Sequence, residues 1–331
     1  MKKILIMCYT VLALAFIAPL FLRDEPEETS AAPVITPGAA LTPPPSDKPA
    51  ARREAVGSIR VLAGGAVQTM DMTDYLTGVV AAEMPAGFEE EALRAQAVAA
   101  RSYALYCAAA HRHAGADVCA DSGCCQAWLD DAGMHERLGK DYDYYAAKLR
   151  RAVETTAGEY LTYDGAPVFA AFHSSSAGAT EDSGRVWNAV PYLVSVPTPE
   201  SADTVPGYVS TVDAAPLDLR DSILSVCPDA DFTGDASTWI GETRRDASGR
   251  VECVTLGGKE IQGTKLRSLF ALRSTAFTLE YTGETFRFTV TGFGHGVGMS
   301  QYGANVLACG GADYREILAH YYPGTTLTAA E

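Results

Sequence analysis

The chemistry with the clearest address in this chain is that of one carboxylic acid. Residues 79–103 read V-V-A-A-E-M-P-A-G-F-E-E-E-A-L-R-A-Q-A-V-A-A-R-S-Y, with a lone acid, Glu83, just before a Met-Pro step and an alanine-rich run carrying Gln96 and Arg101. Asp71 or Thr73 can cap a helix through Tyr75, Leu76, Val79 and Val80. Pro85 ends it, because its ring drives Met84 out of the α region. Glu83 therefore falls in the last turn, against the negative end of the helix dipole. A carboxylate is disfavoured there and its pKa rises, which is the tuning of a general acid that works near neutral pH.

The elements around Glu83 must position its partners. Glu89, Glu90 and Glu91 open a second helix at its positive end, and the pattern runs to His113 without Gly or Pro. Ala92, Ala95 and Ala99 admit a close neighbour, while Leu93, Val98 and Tyr103 supply bulk. Arg94 has Glu90 four residues before it, whereas Arg101 has Ala97 there. Arg101 is thus expected to turn inward, toward Glu83 or an anionic ligand.

Two further clusters present polar groups. Residues 292–304, G-F-G-H-G-V-G-M-S-Q-Y-G-A, place glycines on both sides of His295. The spacing is not a dinucleotide fingerprint, and it allows backbone to approach a ligand closely while His295, Ser300, Gln301 and Tyr302 offer hydrogen bonds. A hairpin of residues 160–163 and 167–172 around Asp164-Gly165 delivers His173, Ser174, Ser175 and Ser176 into a loop. No G-x-S-x-G elbow is present, and adjacent strand residues face opposite ways, so no Ser/His dyad is expected. Trp187 and Tyr192 suit either sugar stacking or a core.

His113, Cys119, Cys124 and Cys125 form H-x5-C-x4-C-C. Imidazole and thiolates at this spacing can close a structural zinc site, while an oxidising compartment favours a disulfide, with Cys107 as a candidate partner. H-E-x-x-H is absent, which argues against a zinc hydrolase. Cys227, Cys253 and Cys309 are expected to be buried small hydrophobes.

With 41 acidic against 26 basic residues and a formal net charge of −15, nucleic acid is excluded as a partner. An anionic polymer would have to be held by hydrogen bonds and stacking in a groove. Lys2 and Lys3 precede an apolar stretch over residues 4–22, followed by Asp24, Glu25, Glu27 and Glu28. This predicts a transmembrane signal-anchor over residues 1–23 with the bulk outside the cytoplasm, in preference to a cleaved signal peptide, whose apolar stretch would be shorter. A flexible Pro/Ala/Ser-rich linker, residues 24–57, leads to a catalytic domain over residues 58–331. The expected fold is α+β: a helical N-terminal half with the catalytic helix pair and a β-rich C-terminal half with a smaller inserted lobe near residues 202–270, preceded by one transmembrane helix.

The helix-Glu-Met-Pro segment, E-A-L-R-A-Q-A-V-A-A-R-S-Y-A, F-H-S-S-S-A-G with V-W-N-A-V-P-Y-L-V-S-V, and G-H-G-V-G-M-S-Q-Y-G-A-N with I-L-A-H-Y-Y-P-G together resemble the stage II sporulation protein D family. The resemblance implies a lytic transglycosylase that cleaves peptidoglycan glycan strands during forespore engulfment, on a single-pass mother-cell membrane protein facing the forespore. Its partners would be the stage II sporulation proteins M and P. It carries the catalytic acid onto Glu83 and an important arginine onto Arg101, and substrate contacts are expected at Gln96, Ser174, Ser175, His295, Ser300, Gln301 and Tyr302. Some members hold zinc in the Cys/His loop, which would be structural here; the chemistry needs no cofactor.

One acid suffices for such a reaction. Ordinary glycoside hydrolysis uses two carboxylates, but here the 6-hydroxyl of N-acetylmuramic acid is the nucleophile and closes a 1,6-anhydro ring. Asp74 lies half a turn around the helix from Glu83, so the helix offers no second acid on that face. Two other classes stay open: a noncatalytic glycan-binding scaffold, and an amidase or peptidase using the Cys/His loop.

Overall fold

Two apolar cores organise residues 57–329, the residues that this computed structural model describes. The first forms around a hairpin, β1 (Ser58–Ala63) and β2 (Ala66–Asp71), followed by α1 (Met72–Glu83) and α2 (Glu90–Ala109). The Asp71 side chain accepts from Thr73 N and caps α1, and Met84 leaves the helix in an extended conformation ahead of Pro85. Ala92, Leu93, Ala95, Ala97, Val98, Ala99, Ala100 and Ala104 are all fully buried, so α2 is wrapped on nearly every side. It stops at Ala109 rather than running to His113, because His111 takes a left-handed φ of +50°.

Around α2 lie β3 (Val118–Cys119), α3 (Asp131–Leu138), α4 (Tyr142–Glu154), β4 (Glu159–Tyr163), β5 (Ala166–Pro167) and β6 (Phe172–His173). The β4–β5 hairpin turns at Asp164 and Gly165, both at positive φ, as the Asp-Gly step predicts. β1 pairs with β3 in parallel and with β2 antiparallel.

After the single turn α5 (Ser183–Val186), the chain enters the second core. It comprises β7 (Val209–Ala214), α6 (Pro216–Leu224), β8 (Ile240–Arg245), β9 (Val251–Leu256), β10 (Lys259–Gln262), α7 (Gly263–Leu269), β11 (Phe277–Tyr281) and β12 (Phe286–Thr291). Two three-stranded sheets, β10-β9-β8 and β11-β12-β7, enclose Leu219, Ile223, Val254, Leu256, Leu266, Phe286 and Phe288. Its buried residues run from Ala214 to Val290, so β11 and β12 contribute to this core beyond the expected limit near residue 270.

The chain then returns to the first core through β13 (Met299–Ser300), which pairs with β6, then α8 (Gln301–Cys309), α9 (Tyr314–Tyr321) and β14 (Thr326–Ala329), which pairs with β4.

The described residues form a mixed α/β fold, and the expected membrane helix is not among them. No helix among the described residues is long and apolar enough to cross a membrane. The longest, α2, carries Glu90, Glu91, Arg94 and Arg101 within its 20 residues, a charge load that a bilayer core opposes. The predicted span over residues 4–22 and the tether up to residue 56 lie outside the described residues.

Candidate functional site

Glu83 is the last residue of α1 and is half-buried. Its Oε1 accepts the backbone N–H of Ala127 at 2.8 Å. Burial pushes its pKa up to about 7, against the opposing pull of the Ala127 hydrogen bond and the positive charge of Arg137. The sequence places the acid at a helix end, but loss of hydration is the cause that dominates.

The segment that supplies Ala127 is pinned to both helices. Gln126 Nε2 donates to the Tyr75 hydroxyl at 2.9 Å and to Ala100 O at 3.3 Å, and Leu129 N donates to Gly78 O at 3.3 Å. The contact with α1 is possible because residue 78 is glycine: a Cβ there would lie 2.2 Å from Leu129 O and 2.6 Å from Trp128 Nε1. Asp130 then caps α3, which carries Arg137 in its last turn.

Just ahead of this segment, His113, Cys119, Cys124 and Cys125 converge, with their ligand atoms all within 4.8 Å of one another. His113 Nε2 lies 3.2 Å from Cys125 Sγ and 3.7 Å from Cys124 Sγ. Adjacent cysteines both face the centre because Cys124 N and Cys125 N donate to the same carbonyl, Asp121 O, in a tight turn. The three thiols are unpaired, as is Cys107 beside them. A hydrogen bond with Cys107, together with burial, pushes Cys125 up to about 12. Three thiols and an imidazole gathered this closely are the donor set of a structural zinc ion, whose charge would reverse that rise by holding the thiols as thiolates.

Arg101 turns inward as expected, though not to Glu83. The residue is 2% exposed. It donates to Thr156 O at 2.8 Å, Glu159 O at 2.9 Å and Val153 O at 3.3 Å. Val153 lies in the last turn of α4 and the other two carbonyls lie just beyond it, where a cation suits the helix dipole. Arg101→Met is expected to cost about 3 kcal/mol, since it orphans buried carbonyls. Urea denaturation would measure this. Arg94 pairs with Glu90 at 2.7 Å and Glu91 at 2.6 Å.

Four of the expected substrate contacts are interior. Gln96, Ser175, Ser300 and Gln301 are at most 4% exposed, so each is packed within the protein. Gln301 Nε2 meets Gln96 Oε1 at 3.4 Å. Ser175 exchanges backbone hydrogen bonds with Phe293. Ser300 caps α8 and donates to the buried Glu200, a residue that no sequence motif marks. Ser174, His295 and Tyr302 remain half-buried. Ser174 O accepts from Tyr302 N, and the Tyr302 ring sits edge-on to Phe88 at 4.9 Å. His295 Nδ1 accepts from Val297 N at 3.1 Å, and its ring lies 4.7 Å from Trp187.

The glycine run serves the same packing. A Cβ at Gly294 would lie 2.7 Å from His173 Cβ, one at Gly296 would lie 2.5 Å from the Arg250 guanidinium, and one at Gly298 would lie 2.0 Å from Ala171 O. The close approach is therefore to protein and not to a ligand. His173 and Ser176 do meet, Nε2 to Oγ at 2.6 Å, because the loop bends back over three residues. Ser176 is fully buried and locks that loop. Of the remaining cysteines, Cys253 is buried, Cys227 is partly so, and Cys309 is exposed, contrary to expectation.

The arrangement defines a protein with one acid raised to near neutrality on a helix end, hydrogen-bonded by a loop that directly follows a thiol/imidazole cluster. The family model described as Stage II sporulation protein (SpoIID) matches residues 63–163, which contain both the acid and the cluster. The chain is 34% identical over 269 residues to stage II sporulation protein D of Bacillus amyloliquefaciens, covering 80% of this chain and 76% of the relative. Against stage II sporulation protein D of Bacillus subtilis (strain 168) the identity is 33% over 274 residues, covering 81% and 78%. An amidase enhancer of Bacillus subtilis (strain 168) is 28% identical over 305 residues, covering 77% of this chain and 40% of the relative. This chain belongs to the stage II sporulation protein D family.

Proposed function

We propose that this sporulation protein is a lytic transglycosylase of peptidoglycan glycan strands, acting outside the cytoplasm with Glu83 as its acid and then its base. The observation that carries this reading is the Glu83 carboxyl, held at about 7 by burial. At that value it is protonated often enough to donate to a leaving glycosidic oxygen and ionised often enough to take a proton back. In the first step Glu83 gives its proton to the bridging oxygen. In the second it removes the proton from the 6-hydroxyl of the same N-acetylmuramic acid as that oxygen attacks C1 and closes the anhydro ring. The Ala127 N–H supports the ionised form between the two steps. Asp74, the other acid of α1, is tied to Arg150 at 2.8 Å and exposed, which favours a mechanism without a second carboxylate.

The likeness to an amidase enhancer supports a setting in the cell wall. The stage II sporulation proteins M and P are the partners proposed from the family. In the Cys/His cluster we propose structural zinc, held by His113, Cys119, Cys124 and Cys125. It would stiffen the segment that bonds Glu83 and take no part in the chemistry.

Mass spectrometry of products from peptide-free glycan strands tests the reaction. Anhydro-muramyl ends are expected. Reducing ends would mean a hydrolase with a second carboxylate, and binding without cleavage would mean a glycan-binding scaffold.

A further inference from the structure

We propose that Gln126 is the positioning residue of the acid: its carboxamide aims the Ala127 N–H at Glu83 and so governs the step in which Glu83 acts as a base. The inference rests on the glycan-cleaving reading above and names what that reading leaves open, the side chain that holds the N–H in place.

Three hydrogen bonds register the segment against α1. Gln126 Nε2 donates to the Tyr75 hydroxyl at 2.9 Å, Ala127 N to Glu83 Oε1 at 2.8 Å, and Leu129 N to Gly78 O at 3.3 Å. All three acceptors belong to the helix that ends in Glu83. The N–H and the carboxylate are therefore referenced to one rigid element. The peptide unit between residues 126 and 127 is planar, so the direction of its N–H follows the placement of Gln126. That residue is tied to both helices, because Nε2 also donates to Ala100 O of α2 at 3.3 Å. The amide orientation follows from Ala100 O, which can only accept. Within residues 126–129 no other side chain does this. Ala127 and Leu129 carry no polar side-chain group, and Trp128 Nε1 is buried without a partner among the described residues.

Stability alone is a poor reason for a glutamine here. Gln126 is 2% exposed, and its Oε1 is buried without a protein partner among the described residues. A buried carbonyl oxygen left so costs free energy that a methionine of the same length avoids. The glutamine supplies a donor shared by two helices, which methionine lacks. The charges that bear on Glu83 do not depend on it: Arg137 belongs to α3, and Asp74, the other acid of α1, is tied to Arg150. A hydrogen bond to the ionised carboxyl favours that form. Loosening the Ala127 N–H therefore moves the Glu83 pKa up from about 7 and makes the carboxylate left by the first proton transfer harder to reach.

The test compares the full-length wild type with Gln126→Met, Tyr75→Phe and the double variant. Gln126→Met keeps the length of the side chain and removes both of its hydrogen bonds, but alone it leaves the buried Tyr75 hydroxyl without its donor. Replacing both members of a buried pair by apolar groups of the same shape is close to neutral, so the urea midpoint of the double variant should return near that of the wild type. The Glu83 carboxyl is titrated by carbon-13 NMR of glutamate-labelled protein, its signal identified by its absence from Glu83→Gln. In the double variant its pKa is expected to rise by about one unit, the scale of one hydrogen bond to a charged group. Cleavage at pH 6 should fall about tenfold with KM within about twofold, and the alkaline limb of the pH–rate profile should move up with the NMR value. Tyr75→Phe alone, which keeps Nε2 on Ala100 O, should shift the titration less. An unmoved Glu83 titration in the double variant, or cleavage that returns together with stability, would overturn the assignment. So would a shift found only with a change in metal content relative to the wild type, which would assign the effect to Cys125 alongside. The titration needs no turnover, so it still decides the role of Gln126 if wild-type digests lack anhydro-muramyl ends, the result on which the cleavage reading alone fails.

Discussion

Glu83→Gln is expected to remove glycan cleavage by about 10²–10⁴-fold while making the protein more stable at alkaline pH. The two effects have one origin, the cost of keeping an ionised carboxyl half-buried. In the folded protein Glu83 binds its proton with a pKa of about 7, whereas an unfolded chain holds a glutamate near ~4.3. Between those values the folded state binds more protons than the unfolded one. Stability is therefore greatest below the lower value and falls as pH rises through the window to 7. At pH 8 the wild type carries nearly the whole penalty, on the order of 3–4 kcal/mol on these pKa values. Glutamine carries none of it. Denaturant midpoints should separate in favour of Glu83→Gln at pH 8 and converge near pH 4. The cleavage rate of the wild type should decline above pH 7, as the protonated acid is lost. A variant equally unstable at both pH values, or a wild-type rate flat from pH 6 to 9, would remove Glu83 from the role.

Sequence carried the acid because its signals are local. A capped apolar helix followed by Met-Pro puts Glu83 at a helix end with no tertiary information, and the structure places it there. What surrounds the acid is not local. Ala127 and Arg137 come from a segment folded back across α1 at Gly78, and the signal for that contact is one glycine whose neighbours lie far along the chain. Arg101 illustrates the opposite failure. Charge pairing along α2 rightly turned it inward, but the partners are carbonyls beyond α4, and carbonyls leave no trace in residue types. The glycine run misled for a related reason. Close backbone approach was legible, but whether the approaching group is a ligand or the chain's own β6 and Arg250 depends on the tertiary fold. The limit of the second core was missed because β11 and β12 read correctly as strands without showing which sheet they join.

The second large effect belongs to the Cys/His cluster. Stripping metal with a strong chelator, or Cys125→Ser, is expected to lower the melting temperature by about 10 °C. That is the scale of a few kcal/mol lost from a domain of this size, since 1 kcal/mol shifts larger domains by about 2–4 °C. Cleavage should fall with it even where the protein is still folded. The chain runs directly from Cys125 into Gln126 and Ala127, so releasing the cluster frees the N–H that stabilises the ionised Glu83 and the helix that carries Arg137. Metal analysis should find one zinc per wild-type chain and none in Cys125→Ser. Cys309→Ser, at an exposed site away from the cluster, should leave both metal content and melting temperature unchanged. A reducing agent separates the two chemistries open to these cysteines. A zinc site withstands it and yields to the chelator, whereas a disulfide among Cys107, Cys119, Cys124 and Cys125 yields to the reductant and ignores the chelator. If the second pattern is found, the loop is clamped by oxidation, and the same loss of cleavage should follow reduction instead, because in either case the bond from Ala127 to Glu83 depends on the cluster holding its shape.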